Sequence, residues 1–252
     1  IINDYAPDII EIFGSEQSFG QVSQYVNVPV VLHIQGILTP YFNAFLPPFV
    51  SKHNYYWQNY NPLKALSKYL SLNAFEGNAK RERDIFKHIN NYIGRTHWDE
   101  RIISIYNHNA NYFYGSEILR DVFYKPVKRS IPSQVKLIST LSSPLYKGYD
   151  TVLKCASLLK NEYCLNFEWR IYGNVNPSFV EHKIGLHHKE VNVIFMGVAS
   201  AEEIRKELSS STAYIHLSYI DKSPNSVCEA QITGIPVVAT NVGGLPSLIN
   251  DG

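Results

Sequence analysis

Residues 218–244 read SYIDKSPNSVCEAQITGIPVVATNVGG and constrain the fold of the chain most strongly. With the apolar run Tyr214–Leu217 before it, this stretch predicts a strand, a loop, a helix, a second strand and a glycine-rich turn. Ser223 and Pro224 suit a helix start, with Ser223 as the N-cap and Pro224 at the first helical position, where a missing N–H costs nothing. Gly234 suits the helix end, and Val237-Val-Ala239 suits a short strand. One βα unit and the start of another are therefore expected here.

Two acids, Asp221 and Glu229, flank seven residues that contain this helix start. The first turn of a helix has N–H groups without intrahelical partners, and the helix dipole favours an anion there. Glu229 lies four residues after Asn225, so the two share one helix face. Phosphate at the amides of Asn225 and Ser226, with hydroxyls at Glu229, would hold both parts of a sugar nucleotide. An ordinary capped helix with surface acids would give the same pattern, so both interpretations stay open.

The same stretch resembles the donor-site signature of the retaining GT-B glycosyltransferases of glycosyltransferase family 4. In that family an acid, seven residues and a Glu precede a Gly-x-Pro-Val-Val strand and an x-Val-Gly-Gly turn. Residues 229–244 fit, with Gly243 and Gly244 in the turn, whereas the first acid is Asp221 in place of the usual Glu. The resemblance implies that Glu229 binds the nucleotide ribose and that Asp221 faces the donor sugar. It also places the donor phosphates at the helix start, which comprises Pro224, Asn225 and Ser226.

Lys147 is the second candidate donor-site residue. It follows a predicted strand, Val135–Ser139, and a polar loop. A lysine suits phosphate there, because its ammonium is a point charge with three donors. The resemblance implies that Lys147 holds the donor diphosphate together with an Arg placed before the loop. This chain offers Thr140, Ser142 and Ser143 instead of that Arg, and hydroxyls bring no charge. A solvated surface lysine is the alternative.

The N-terminal half offers candidates for the acceptor side. Its strand Val30–Gly36 resembles one that ends, in many family members, in a His near the reaction centre. Gln35 stands at that position, and His33 lies two residues earlier on the same predicted strand face. Gln35 cannot titrate, so we expect it to orient a hydroxyl in the catalytic centre. His33 is either a core histidine or a catalytic one, and Arg95 with Asp99 either meets the acceptor or forms a structural ion pair.

Alternating strands and helices predict an α/β protein, GT-B-like, with two Rossmann-like domains on parallel sheets. We expect an acceptor-side domain over residues 1–125 and a nucleotide-sugar donor-binding domain over residues 126–252. The first residues read as the middle of a domain, and the last stop where family members continue. We therefore expect an incomplete N-terminal domain and a truncated C-terminal one. Apolar spacing predicts a long helix over Leu63–Ile93.

Composition excludes several classes of protein. A net charge of +1 on 252 residues gives no argument for nucleic-acid binding. The three cysteines suggest neither a disulfide framework nor a metal site, and no run of about 18 apolar residues suggests a membrane span. The histidines at 182, 187 and 188 also lack diagnostic ligand spacing. We expect no metal and no cofactor beyond the donor substrate.

Tyr41–Tyr60 is crowded with aromatic side chains. This stretch is either core of an insertion or a lip that stacks on sugars or touches a membrane. The cysteine usage suits a reducing compartment, so we expect a cytoplasmic protein, with peripheral contact at the inner membrane face as an option.

The predicted function is transfer of a sugar, with retention of configuration, from a nucleotide-diphosphate sugar to a sugar or lipid-linked acceptor. The resemblance implies a role in polysaccharide biosynthesis. Two alternatives stay open, a GT-B-fold sugar-nucleotide epimerase and a non-catalytic sugar-nucleotide-binding module. The absence of the usual Arg and His motivates the second alternative.

Overall fold

The computed structural model describes residues 2–116 and 118–250, and it divides into two compact units. Unit 1 comprises Ile1–Ala44 and Ser51–Glu117, and unit 2 comprises Phe45–Val50 and Ile118–Gly252. Packing alone defines these units, so the predicted functional division into residues 1–125 and 126–252 stays a prediction.

Unit 1 is built on a four-stranded parallel sheet in the order β1-β2-β3-β4. The strands are β1 (Ile10–Phe13), β2 (Val30–His33), β3 (Asn91–Gly94) and β4 (Asn111–Tyr114). The helices are α1 (Ile2–Tyr5), α2 (Leu38–Ala44), α3 (Lys52–Tyr56), α4 (Pro62–His88) and α5 (His97–Tyr106), with a 3-10 helix at Ser18–Gln24. Buried side chains of β2 and α4, among them Leu32, Ile85 and Phe86, form the core.

The helix α4 is shorter than the sequence predicts. It begins after Asn61, whose side chain accepts the Lys64 N–H, and it ends at His88. The predicted helix Leu63–Ile93 is therefore wrong at its C-terminal end, where β3 begins at Asn91. Isoleucines at 85, 89 and 93 repeat every four residues and imitate a helix face. The third of them lies in a strand whose residues alternate between partly buried and buried.

Unit 2 is built on a five-stranded parallel sheet in the order β7-β6-β5-β8-β9. The strands are β5 (Val135–Thr140), β6 (Phe167–Tyr172), β7 (Val193–Gly197), β8 (Ala213–His216) and β9 (Val237–Ala239). The helices are α6 (Tyr149–Asn161), α7 (Ser178–Ile184), α8 (Ala201–Ser209) and α9 (Asn225–Ile232). Short 3-10 helices cover Asp121–Tyr124, His188–Val191 and Leu245–Ser247.

The strand order of unit 2 reverses at one place in the sheet. From β5 the chain moves outward through β6 and β7, then crosses to the other side of β5 to form β8 and β9. The order reverses between β5 and β8, and in open α/β sheets ligands bind beyond the carboxyl ends of strands at such a point. Two parallel sheets in an α/β protein confirm the predicted fold class.

The aromatic stretch Tyr41–Tyr60 is shared between the units. Phe42 packs edge-on against Phe75 in unit 1, with ring centroids 5.4 Å apart. Phe45 lies in unit 2, where its ring centroid is 6.4 Å from that of Tyr146. Tyr60 is 85% exposed, so the stretch contains both packed and exposed rings. None of the described helices combines the length and hydropathy of a membrane span.

Candidate functional site

The candidate site lies in unit 2, where β5 and β8 end beside each other. Lys147 and Gly148 stand between β5 and α6, and Leu217 begins the loop that follows β8. Gly148 has φ +71°, and a Cβ atom there would overlap the carbonyl oxygen of Leu217. Only glycine permits this approach, so the Lys147-Gly148 pair brings the two loops into contact.

Lys147 and Asp221 form an ion pair between these loops. The Lys147 ammonium contacts Oδ2 of Asp221, and the two side chains are 14% and 7% exposed. His216, at the end of β8, places Nε2 2.9 Å from the same oxygen. Ser218 Oγ lies 3.0 Å from that histidine nitrogen. The sequence assigned Lys147 and Asp221 to separate parts of the donor, and the structure brings them together.

The environment of Asp221 keeps its carboxylate ionised. Burial by itself would raise its pKa, but the hydrogen bond from His216 and the charge of Lys147 lower the pKa to about 2. The other oxygen, Oδ1, accepts the Lys222 N–H at 3.1 Å. His216 was missed at the sequence level, although a histidine closing an apolar strand was a visible signal.

The glycine-rich turn packs against the main chain of Asp221. The Gly244 N–H donates to the Asp221 carbonyl oxygen at 2.9 Å. Gly243 has φ +55°, and a Cβ atom there would overlap that same oxygen. The backbone of the Gly243-Gly244 turn therefore lies against the loop that carries Asp221.

Helix α9 begins one residue later than predicted. Pro224 is the N-cap, with φ −68° and ψ 123°, and Asn225 is the first helical residue. Ser226, in the first turn of α9, hydrogen-bonds Tyr214 of β8, which is fully buried. The Tyr214 hydroxyl lies 2.7 Å from Thr140 Oγ1. Burial raises the pKa of Tyr214 to about 12, and hydrogen bonds with Ser226 and Thr140 oppose that rise.

Glu229 is engaged by an arginine that sequence reasoning missed. Arg120 Nε and Nη2 donate to Oε1 and Oε2 of Glu229 at 2.8 and 2.9 Å. The Glu229 side chain is 6% exposed and that of Arg120 is 52% exposed. The Arg120 guanidinium carbon also lies 5.0 Å from the centroid of the Phe123 ring. The hydrogen bonds to Glu229 raise the pKa of Arg120.

The acceptor-side candidates of unit 1 do not form one cluster with an evident chemical role. Gln35 is exposed and lies beyond the end of β2. The His33 ring lies 4.9 Å from that of Phe13, with Nδ1 3.5 Å from a Glu11 oxygen. Asp99 is buried and forms a capping box with Thr96 at the start of α5. Arg95 donates its N–H to Asp99 at 3.0 Å.

A buried carboxyl group, Glu82 of α4, lies near the carboxyl edge of the unit 1 sheet. It accepts the Leu38 N–H at 2.7 Å and contacts the hydroxyl of Ser15. Burial raises its pKa to about 7, although these hydrogen bonds oppose the rise. The sequence did not predict the burial of Glu82, because it does not show which face of the long helix packs against the sheet.

The histidine cluster of unit 2 is organised by a carboxylate. Glu181 accepts from the Tyr149 hydroxyl at 2.6 Å and lies 2.7 Å from Nδ1 of His188. His187 Nδ1 lies 3.2 Å from its other oxygen. Within residues 2–116 and 118–250, no group of three His, Cys, Asp or Glu side chains could hold a metal ion.

Residues 133–252 match the family described as "Glycosyl transferases group 1", and they include every donor-site candidate named above except Arg120. No curated protein sequence matches the chain. Sucrose-phosphate synthase from Thermosynechococcus elongatus has a similar structure, with TM-score 0.67 at 14% identity over 97% of this chain and 58% of that chain.

Two further solved structures share the fold. HepE from Anabaena, in complex with UDP and glucose, gives TM-score 0.61 at 15% identity over 99% of this chain and 64% of that chain. WaaG, a glycosyltransferase involved in lipopolysaccharide biosynthesis, gives 0.58 at 16% identity over 96% and 62%. The chain thus spans about three fifths of the length of these neighbours. Residues 133–252 therefore match a group 1 glycosyltransferase domain, and the chain shares the two-sheet α/β architecture of these GT-B structures.

Proposed function

We propose that unit 2 binds a nucleotide-diphosphate sugar and that the protein transfers the sugar to an acceptor with retention of anomeric configuration. One observation carries this proposal. Lys147, Asp221 and the start of α9 gather at the reversal point between β5 and β8, within the residues that match group 1 glycosyltransferases. Parallel α/β sheets bind nucleotides at this place, and a helix start favours the negative charge of phosphate.

In the proposed complex the diphosphate lies between Lys147 and the first turn of α9. Departure of the diphosphate develops negative charge there, and fixed positive groups that meet this charge lower the barrier. Asp221 holds the ammonium of Lys147 by ion pairing, and His216 holds Asp221. We propose that Asp221 acts on the donor sugar from this position.

Glu229 is proposed to accept hydrogen bonds from the ribose. Its carboxylate lies one turn inside α9, on the face of Asn225. A carboxylate repels phosphate but accepts hydrogen bonds from neutral hydroxyls. One helical turn between the start of α9 and Glu229 would therefore place the phosphates at the helix start and the ribose at Glu229. Gly243 and Gly244 contribute by fixing the Asp221 loop. Gln35 of unit 1 is proposed to orient a hydroxyl in the reaction.

The donor assignment is tested by removing the Lys147 charge. Lys147→Ala is expected to weaken binding of a nucleoside diphosphate about tenfold or more and to leave nucleoside binding nearly unchanged, because a charged hydrogen bond contributes roughly 1.5–3 kcal/mol. Lys154→Ala is the matched control, since this lysine pairs with Asp150 on α6. Calorimetric titration measures both. Equal losses for nucleoside and diphosphate would contradict the assignment.

Transfer itself requires a product measurement. A panel of nucleotide-diphosphate sugars is incubated with the protein and candidate acceptors, and the anomeric configuration of the product is read by NMR. Retained configuration is expected. An inverted product would contradict the retaining mechanism. Epimerised nucleotide sugar would support the epimerase, and binding without turnover would support a non-catalytic module.

A lipid-linked acceptor and peripheral contact at the inner membrane face form part of the proposal. The support is an exposed apolar surface of unit 1 where α4 begins. Tyr60, Leu63, Leu66 and Leu70 are 85%, 78%, 55% and 56% exposed. Rings and leucines of this kind partition into the headgroup boundary. Co-sedimentation with anionic vesicles tests it, and Leu63→Ser/Leu66→Ser is expected to reduce the bound fraction.

A further inference from the structure

Arg120 hydrogen-bonds both oxygens of the Glu229 carboxylate, and the Glu229 side chain is only 6% exposed with Arg120 in place. Nε and Nη2 of the guanidinium form two parallel hydrogen bonds, one to each carboxylate oxygen, at 2.8 and 2.9 Å. Bidentate pairs of this kind are stronger than hydrogen bonds between neutral groups. The two residues lie 109 positions apart within unit 2, so no local constraint of the chain produces the contact.

This occupancy conflicts with a second ligand at the same group. Under the proposed function, ribose hydroxyls must donate to the oxygens that Arg120 already holds. We propose that Arg120 is an internal competitor of the nucleotide donor at Glu229, and that donor binding displaces its guanidinium. The inference rests on the proposed ribose role of Glu229.

The surroundings of Arg120 permit the exchange. Its side chain is 52% exposed, whereas that of Glu229 is 6% exposed, so the guanidinium can regain water while the carboxylate stays in place. Phe123 is buried in the core and anchors the neighbouring main chain. Glu202 is exposed, and its charge contributes to the raised pKa of Arg120. Glu202 therefore offers a second carboxylate that attracts the released guanidinium.

Competition has a measurable consequence for affinity. A ligand that binds only molecules with an open Glu229 has its affinity reduced by the fraction of molecules in that state. Because the pair is half exposed on the arginine side, salt weakens it by screening. Binding of an uncharged ribonucleoside to the wild type is therefore expected to tighten as salt rises. A purely structural ion pair would give no such dependence.

The experiment compares Arg120→Ala with the wild type by calorimetry, using UDP, GDP and ADP as probes and the matching nucleosides as uncharged ligands. Arg120→Ala is expected to bind the best diphosphate about threefold to tenfold tighter and to lose the salt dependence of nucleoside binding. The corresponding 2′,3′-dideoxy diphosphate should gain nothing. Arg205→Ala is the matched control, since this guanidinium bonds the carbonyls of Lys125 and Pro126.

Weaker or unchanged diphosphate binding by Arg120→Ala would overturn the inference, because it would make Arg120 a donor contact or a bystander. Arg120→Lys is the second variant should the alanine protein not fold. It keeps the charge and loses the planar fork, so its affinity for the diphosphate is expected to exceed that of the wild type. An affinity equal to that of the wild type would overturn the proposal. If the wild type binds none of the three diphosphates, the proposed donor site itself fails.

Discussion

Two buried acids, one in each unit, have pKa values that are shifted in opposite directions. Glu82 in unit 1 and Asp221 in unit 2 each lie near the carboxyl edge of a parallel sheet, 0% and 5% exposed. The pKa of Glu82 is raised to about 7, and the pKa of Asp221 is lowered to about 2. Burial by itself raises both pKa values. The pKa of Asp221 is lowered overall because His216 and Lys147 lie beside it.

The comparison teaches that burial raises the pKa of a carboxyl group overall only where no positively charged group lies beside it. Hydrogen bonds from Ser15 and the Leu38 amide do not offset the loss of water around Glu82. An ammonium and an imidazole do so for Asp221. We therefore expect acid to stabilise the edge of unit 1 and to destabilise the edge of unit 2.

The largest effect is expected from Gly148→Ala, which disturbs the backbone contact between the β5 and β8 loops of unit 2. A Cβ atom would overlap the Leu217 carbonyl, and φ +71° is strained for alanine. A loss of about 4 kcal/mol in unit 2 stability is expected, measured by urea denaturation.

Gly77→Ala is the matched control in unit 1. Gly77 lies inside α4, and a Cβ atom there meets nothing within 4 Å. This change is expected to stabilise the protein by about 0.5–1 kcal/mol. Equal behaviour of the two variants would contradict the close approach of the β5 and β8 loops.

Glu82→Gln is expected to remove the pH dependence that unit 1 owes to this carboxyl. With a folded pKa of about 7 and an unfolded pKa near 4.5, Glu82 contributes stability below pH 4.5 that is lost as pH rises through 7. The loss amounts to about 3 kcal/mol. At pH 8 the variant should therefore be the more stable protein.

Hydrogen exchange of the α4 amides, compared between variant and wild type from about pH 4 to pH 8, measures this difference. Subtracting the two profiles removes the contribution of all other titrating groups. If stability has the same pH dependence in both proteins, the pKa of Glu82 is not raised by folding, which would contradict the prediction.

Asp221→Asn is expected to produce the opposite dependence in unit 2. Asp221 has a folded pKa of about 2 against 3.8 unfolded, so its stabilisation is present above pH 3.8 and is lost as pH falls through 2. The expected loss in the variant at neutral pH is about 2 kcal/mol, shrinking to nothing at the acid end.

The fluorescence of Trp169, buried in β6, reports unit 2 unfolding once Trp57 and Trp98 of unit 1 are replaced by Phe. Denaturation of this background with and without Asp221→Asn gives the difference in unfolding free energy. A constant difference down to about pH 2 would show that Lys147 and His216 do not hold the carboxylate.

The smallest effects are expected from two buried tyrosines. Tyr214→Phe leaves the hydroxyl of Thr140 without this partner, and Tyr92→Phe leaves the Phe86 carbonyl without its partner at 2.9 Å. Tyr92→Phe should cost about 1 kcal/mol, since that is a typical net value for a hydrogen bond. A larger loss for Tyr214→Phe is expected, because its hydroxyl also meets Ser226. Thermal unfolding of both variants measures this.

Sequence periodicity predicted unit 2 better than unit 1. The predicted strand Val237–Ala239 has the bounds observed for β9, and the predicted strand Val135–Ser139 ends one residue before β5 does. Buried parallel strands are continuous apolar runs, and the helices between them carry recognisable caps. In unit 1 the isoleucines at 85, 89 and 93 extended the predicted helix into β3, because their spacing of four continues across the irregular residues 89–90.

The candidate site was predictable only where its residues belong to local motifs. Lys147, Asp221 and Glu229 were identified from strand–loop–helix patterns, and their catalytic and binding roles stay predictions. The partners of these groups could not be predicted, since Arg120 lies in an irregular segment far from Glu229 in the chain. A pairing of this kind depends on tertiary packing alone, and no short-range pattern encodes it.

During synthesis, β5, β6 and β7 leave the ribosome in the order in which they pair, so half of the unit 2 sheet can grow outward as it emerges. Its other half must wait for β8, about 70 residues after β5, which is several seconds at roughly 5–20 residues per second. Lys147 is therefore translated long before Asp221 and His216 exist to meet it. Any ligand of this edge can stabilise only a finished unit 2, and it cannot assist the nascent chain.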